Sequence, residues 1–200
     1  AMMQDGKALQ AGTSHYLGQN FSRAAGIEFL DSDGQRKFAY TTSWGVSTRL
    51  IGGVVMTHAD DDGLRLPPRI APKHAVVLPV IPKPEQESAV LAYADEVAAR
   101  LSAVCYDGQS IRVSVDRRDL RGGEKNWQWV KKGAPLRLEV GPRDVEGRTV
   151  ALYRRDRPPR EKEFVPLEKL VTDMPCLLQE IQDNLFRQAL EMRQSRTRTD

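Results

Sequence analysis

A phosphate group is held by free amide N–H groups at the start of a helix, by the positive end of the helix dipole and by a fixed cation. The stretch Thr42-Ser43-Trp44-Gly45-Val46-Ser47-Thr48-Arg49 supplies the parts for all three. Phe38-Ala39-Tyr40 before it reads as a strand, and Leu50, Ile51, Val54 and Val55 after it fall at helical spacing. Ser47 and Thr48 stand where N-cap residues belong. The expected arrangement is strand, glycine turn and helix N-terminus, with Arg49 at the mouth. An ordinary capped helix with a surface arginine has the same local pattern, so the flanking elements must decide.

Residues 7–10 read as a short strand leading into Gly12-Thr13-Ser14-His15, and residues 16–25 as a helix. Residues 27–30 form a strand, Asp31-Ser32-Asp33-Gly34 a turn, and residues 36–42 its antiparallel partner. A helix over residues 50–58 follows. Asp60-Asp61-Asp62 before Gly63 reads as a solvated turn and not as a metal site. The proline-rich residues 66–72 make a stiff linker.

Beyond the linker, strands alternate with helices, which implies a mainly parallel sheet with covered faces. Residues 74–81 are a near-continuous apolar run and hence a central strand. Residues 85–105 form an amphipathic helix with Val90, Leu91, Ala94, Val97, Ala98 and Leu101 on one face. Strands follow at 111–115, 136–140 and 149–153, with a helix over 126–132 ended by Gly133. Arg154-Arg155-Asp156-Arg157-Pro158-Pro159-Arg160 reads as a solvated basic hairpin tip. A long helix starts after Pro166, with Pro175 in a first turn and a stripe of Leu177, Leu178, Ile181, Leu185, Phe186 and Leu190 that needs a partner. Residues 193–200 read as a basic, disordered tail.

Ala8-Leu9-Gln10-Ala11-Gly12-Thr13-Ser14-His15-Tyr16-Leu17-Gly18, the stretch around Trp44 to Arg49, and Asp60-Asp61-Asp62-Gly63-Leu64-Arg65-Leu66-Pro67-Pro68-Arg69 together closely resemble the end of the catalytic core of prolyl-tRNA synthetases of the archaeal and eukaryotic-like type. These are class II aminoacyl-tRNA synthetases, and the Trp44–Arg49 stretch resembles their motif 3. The general class II motif has Glu-Arg where this chain has Thr48-Arg49, a pair found in the prolyl branch. The resemblance implies that Gln10, Thr13 and His15 bond the adenosine and close over proline. It also implies that Trp44 walls the pyrrolidine pocket, that Ser47 bonds near the nucleotide, and that Arg49 stacks on adenine and meets the terminal phosphate.

Lys132-Gly133-Ala134-Pro135-Leu136-Arg137-Leu138-Glu139-Val140-Gly141-Pro142-Arg143-Asp144, with Lys125 and Trp129 before it, strongly resembles the same family. The order of elements matches the anticodon-binding domain shared by prolyl, threonyl, histidyl and glycyl synthetases. Glu139, Arg143 and Asp144 offer mixed donors and acceptors for the edges of splayed bases, and Arg117, Arg118, Lys125 and Lys132 offer phosphate contacts. A strand-end salt-bridge cluster is the alternative. Gly122 and Val130 depart from the family pattern, which has Pro and Glu there.

The expected fold class is α/β. A C-terminal piece of a class II antiparallel-sheet core (residues 1–72) precedes an anticodon-binding domain with a mixed, mainly parallel sheet (73–170), and a C-terminal helix and basic tail follow (171–200). The resemblance implies a proline–tRNA ligase as parent, with ATP and Mg, proline and tRNA-Pro as substrates and partners, and a homodimer. Because motifs 1 and 2 are missing, this chain alone is expected to be inactive, and no catalytic residue is assigned. A non-catalytic RNA-binding module and a threonyl-type synthetase are the rivals. The 200 residues carry 40% hydrophobic side chains and a net charge of +3, which suits a folded, mildly basic chain able to meet RNA. The two cysteines, Cys105 and Cys176, lie far apart, so neither zinc nor a disulfide framework is expected. No membrane span or signal peptide is read, and a cytoplasmic location is expected.

Overall fold

The computed structural model describes residues 1–198, and the chain divides into two compact units at the Met56–Thr57 bond. The first unit contains β1 (Thr13–Gly18), α1 (Asn20–Ala25), β2 (Glu28–Leu30), β3 (Arg36–Phe38), β4 (Thr41–Gly45) and most of α2 (Arg49–His58). Two antiparallel pairs organise it, β2 with β3 and β1 with β4. The strand expected at residues 7–10 is absent; only an isolated bridge joins Met2 to Ala8. The first three residues of the expected helix are strand instead, because residues 13–16 pair with 42–45 and Gly18, at φ +58, turns the chain before α1. The expected strand over 36–42 is two strands with different partners. The Ala39 N–H still bonds Ile27 at 3.1 Å, after which the chain leaves β2 for β1. Many large apolar side chains stay exposed here, among them Tyr16, Trp44, Val46 and Ile51.

The second unit runs β5 (Ala75–Pro79), α3 (Glu87–Ser102), the two-residue strands β6 (Cys105–Tyr106) and β7 (Gln109–Ser110), β8 (Val113–Val115), α4 (Gly122–Lys131), β9 (Leu136–Val140), α5 (Pro142–Gly147), β10 (Thr149–Arg154), β11 (Glu163–Pro166) and α6 (Leu167–Arg196). Its sheet has the order β11-β10-β9-β5-β8. β5 is parallel to both its neighbours, and β10 is antiparallel to both of its own, so four of the five strands point one way. The apolar run at β5 is central, as its composition requires: all five of its residues are buried.

The period-2 alternation sorts the two faces. Leu136, Leu138 and Val140 of β9 and Val150 and Leu152 of β10 pack with α3 and α6. Val76 and Leu78 of β5 turn the other way, against Trp129 of α4 and Ala134. Beyond β5 this second face carries Arg137 and Glu139 from β9, Ala151 and Tyr153 from β10, and Phe164 from β11.

Three expectations for the helices of this unit are corrected. α4 begins at Gly122, before residue 126, and ends as expected at Gly133, whose φ is +72. Pro175 lies inside α6, not in a first turn. Its lost N–H is tolerated because Leu170, Met174 and Leu178 hold the helix on the core across that turn. The apolar stripe of α6 therefore finds its partner in this unit's own sheet, although Phe186 stays exposed. Helix continues through Arg196 where a disordered tail was expected, and Thr199 and Asp200 lie outside the described residues.

The expected boundary at 72/73 also moves. Residues 57–72 belong with the second unit because they bond to the end of α4: Leu64 N–H to Lys131 O at 3.0 Å and Leu66 N–H to Gly133 O at 3.3 Å. The base of the basic tip is not solvated, since Arg154, Arg155 and Asp156 are all buried, whereas Arg157, Pro158 and Arg160 are exposed as expected. Arg154 binds Asp156 and Glu180, and Arg155 binds Asp60. Asp60 is therefore an ion-pair partner and not part of a free turn.

His74, 1% exposed, precedes β5. Its Nδ1 accepts the Arg112 N–H at 3.0 Å, and the Arg112 guanidinium lies 2.8 Å from Nε2. Burial, helped by that cation, pushes its pKa down to about 4. Between about 4 and the ordinary 6.5 the unfolded chain binds a proton that the folded chain refuses, so stability rises with pH in that window. Its contribution is complete above pH 6.5 and is lost as the pH falls to about 4, a change of about 3 kcal/mol. Urea titrations across this range should show the slope, and His74→Gln should flatten it; an unchanged slope would assign it to other groups.

Candidate nucleic-acid interface

In the first unit, four of the residues singled out in the sequence surround one shallow hollow of about 260 Å3: Gln10, Thr13, Ser47 and Arg49. Arg49 Nη1 donates to Gln10 Oε1 at 3.2 Å and to Gln10 O at 3.4 Å. Ser47 Oγ accepts the Arg49 N–H at 3.3 Å, which starts α2 as an N-cap side chain would. Directly opposed residues of an antiparallel pair share a face. Thr13 opposes Gly45 and His15 opposes Ser43, so both side chains lie on one face. Trp44 opposes Ser14 and lies on the other. A ligand seated over Thr13 and His15 does not meet the Trp44 indole, so the single pocket expected from the sequence is not formed by all six residues.

In the second unit, α4 stands between two concave surfaces. The first spreads over the open face of β9, β10 and β11 as two adjoining hollows of about 630 and 510 Å3, which share Glu139 and Lys162. Glu139 is held from two sides. Tyr153 OH donates to its Oε2 at 2.8 Å and Asn126 Nδ2 to its Oε1 at 2.7 Å. Each oxygen keeps a free lone pair for a donor from outside. Burial, and then the Glu139 carboxylate, push the Tyr153 phenol well above its ordinary value, so it remains a donor. Trp127 and Phe164 present exposed rings at the two ends of this surface, 42% and 63% accessible. Lys83, Arg143, Arg160 and Lys162 stand round it, and among the described residues none of them pairs with a carboxylate. Asp144 has a different role here. Its Oδ2 accepts the Gly141 N–H at 2.9 Å and its Oδ1 the Thr149 hydroxyl at 3.0 Å, so it fixes the start of α5.

Under this surface lies Arg137, fully buried. It donates from Nη2 to Pro159 O at 2.9 Å and stacks 5.3 Å from the Tyr153 ring, while its Nε and Nη1 have no acceptor among the described residues. Burial, with Arg155 nearby, pushes its pKa down to about 10, so it stays a cation at neutral pH.

The second concave surface is a cleft at the carboxyl ends of β5 and β8, and it takes Arg117, Arg118 and Lys125. Arg118 clamps Asp116 with Nε at 2.8 Å and Nη2 at 2.6 Å, and Trp129 Nε1 adds a bond at 2.8 Å. Arg118, then that indole against the cost of burial, holds the Asp116 carboxyl well below the usual carboxylate range. Arg117 pairs with Asp95. Lys132 stands apart at the end of α4, 4.5 Å over the Trp129 ring. The seven residues expected to meet RNA thus fall on both sides of α4. Asn126, Trp127, Tyr153, Lys162 and Phe164 were missed. For Tyr153 the signal was present: it alternates with the core residues Val150 and Leu152 along β10, which places it on the opposite face of the sheet.

Residues 74–177 match the family described as anticodon binding domain. The chain belongs to the anticodon-binding domain family. The open sheet face with its two rings and unpaired cations therefore lies in an anticodon-binding domain, and so does the cleft beyond α4. Similarity also extends beyond this domain. The chain is 56% identical over 198 residues, 99% of its length, to a protein named proline–tRNA ligase 2 of Anaeromyxobacter dehalogenans. It is 55% identical over 96% and 99% of its length to proteins named proline–tRNA ligase of Protochlamydia amoebophila and Akkermansia muciniphila. It spans 39%, 38% and 39% of these three relatives. No helix among the described residues is long and apolar enough to cross a membrane, and no group of three His, Cys, Asp or Glu side chains among them is arranged to hold a metal ion.

Proposed function

We propose that this chain is part of a cytoplasmic, homodimeric proline–tRNA ligase, in which it supplies motif 3 and the anticodon-binding domain. The parent activates proline with ATP and Mg and esterifies it to tRNA-Pro. The observation that carries the reading is the identity of 56% over both units, not only over the anticodon-binding domain. A binding module that merely reused the domain would have no need of Gln10, Thr13, Ser47 and Arg49 around one hollow.

In this reading residues 1–72 are the last strands and helix of a class II antiparallel core. Arg49, held by Gln10 and standing at the start of α2, meets the nucleotide with Thr13 and Ser47. His15 closes over proline from the same face as Thr13. Trp44, on the opposite face, offers an apolar wall there, and the other exposed rings of this unit pack in the parent core. In the anticodon-binding domain, Glu139 reads a base edge, Trp127 and Phe164 stack on splayed bases, and Arg143, Arg160 and Lys162 meet phosphates. Arg117, Arg118 and Lys132 contribute charge from the flanks.

Binding of the chain to a stem–loop RNA with a proline anticodon tests this, against one with both anticodon guanines replaced, at two salt concentrations. A preference that persists at the higher salt is expected, because base contacts survive where phosphate contacts weaken. Equal, salt-labile binding to both would reduce the surface to a basic patch and remove the anticodon reading.

A further inference from the structure

The cleft at the carboxyl ends of β5 and β8 has a volume of about 710 Å3. β5 and β8 are neighbours, and the helices that follow them, α3 and α4, pack on opposite faces of the sheet. Where neighbouring connections diverge in this way, a crevice opens beyond the strand ends, and open α/β sheets bind ligands there.

Two independent features give this crevice a sign. The first is Lys125, which lines it and is only 6% exposed. An ammonium group has three donors. Among the described residues the one hydrogen bond of its Nζ is to the carbonyl of Asp116, at 3.5 Å. The Asp116 carboxylate cannot neutralise it, being occupied by Arg118 and Trp129. A buried cation without an anion is strongly unfavourable, and a ligand that brings the anion removes the penalty. The second is the first turn of α4. No side chain caps it, and among the described residues the N–H of Gly122, which lines the cleft, has no acceptor. The helix spans Gly122–Lys131, long enough for its dipole to add at that end.

We propose that this cleft is a phosphate-binding pocket, with Lys125 Nζ and the Gly122 amide as its ligating groups. The cavity exceeds a bare phosphate, so the group arrives on a larger body: a free phosphorylated small molecule of about mononucleotide size, or the phosphodiester of a bound RNA. The inference rests on the cleft and not on base reading at Glu139. Equal binding of the two stem–loop RNAs would remove the anticodon reading and leave this pocket untouched.

Thermal unfolding of the chain in rising inorganic phosphate, with ionic strength held constant by sodium chloride, tests it. Wild type should gain melting temperature in a saturable way, since a ligand for the folded state stabilises by mass action. Lys125→Met should melt no lower than wild type without phosphate, because it removes an unpaired charge, and should lose the phosphate response. Gly122→Pro keeps a residue suited to a first helical turn but deletes one N–H, and should weaken the apparent affinity by about tenfold, as for a hydrogen bond to a charged group. If both variants respond to phosphate as wild type does, the pocket is refuted. Repeating the titration with saturating stem–loop RNA separates the sources. Loss of the phosphate response assigns the pocket to an RNA phosphodiester, and an additive response assigns it to a free phosphorylated molecule. Either result supports the site.

Discussion

Arg155→Met is expected to lower the stability of the second unit by roughly 3 kcal/mol in urea titrations. The Arg155 side chain is 2% exposed and makes bonds in three directions. Its guanidinium forks onto both oxygens of Asp60, Nη1 at 2.7 Å, and Nη2 also reaches Gly63 O at 3.3 Å. Its Nε donates to Val130 O at 3.2 Å. Burial works against the Asp60 carboxylate, and Arg155, with Arg65, more than offsets it, so the carboxyl titrates below its ordinary value. Methionine matches much of the volume but strands that carboxylate and two carbonyls, and stranded groups carry most of the cost. The double variant Asp60→Asn, Arg155→Met should recover a large part of the loss, since both charges are then gone. A single-variant loss under ~1 kcal/mol, the size of a surface pair, would mean that this ion pair is solvated.

The second large effect is on recognition. Glu139→Gln should cut the preference for the proline anticodon by about 10- to 100-fold while leaving the salt dependence of binding unchanged. The substitution keeps an acceptor for Tyr153 or Asn126 and the shape of the side chain, so the fold should hold. What changes is the charge and the acceptor-only character that the free lone pairs present to a base edge. Measured as the ratio of two dissociation constants, the effect separates reading from affinity. An unchanged ratio would place reading elsewhere and withdraw Glu139.

What the sequence made legible follows burial patterns. The β5 run was readable because a strand covered on both faces must be apolar throughout, and the α3 stripe because its period matches one buried helix face. The hollow at Gln10 and Arg49 was reached through the motif that brings them together, although they lie far apart in the chain. The failures share a cause as well. Residues 13–18 carry no strong local preference, and pairing with residues 41–45 decided their conformation. Arg154 and Arg155 look like a solvated tip because charge normally marks surface; only partners distant in sequence, Asp60 and Glu180, show that they are buried. Nothing local shows that Lys125 and Arg137 are buried either, because a cation's sequence surroundings do not report its burial.

α6 covers the sheet that the earlier strands build, with Met174, Leu178, Ile181 and Leu185 fully or almost fully enclosed in the core. Within the second unit it is also the last element in chain order. Until residue 185 has left the ribosome, Leu136, Leu138, Val150 and Leu152 have no cover from it, and the half-built sheet presents an apolar face to solvent. Domains whose closing contacts come last in the chain fold late and are exposed to association while they wait. The order of elements within the second unit thus delays the closing of its core until α6 has been made.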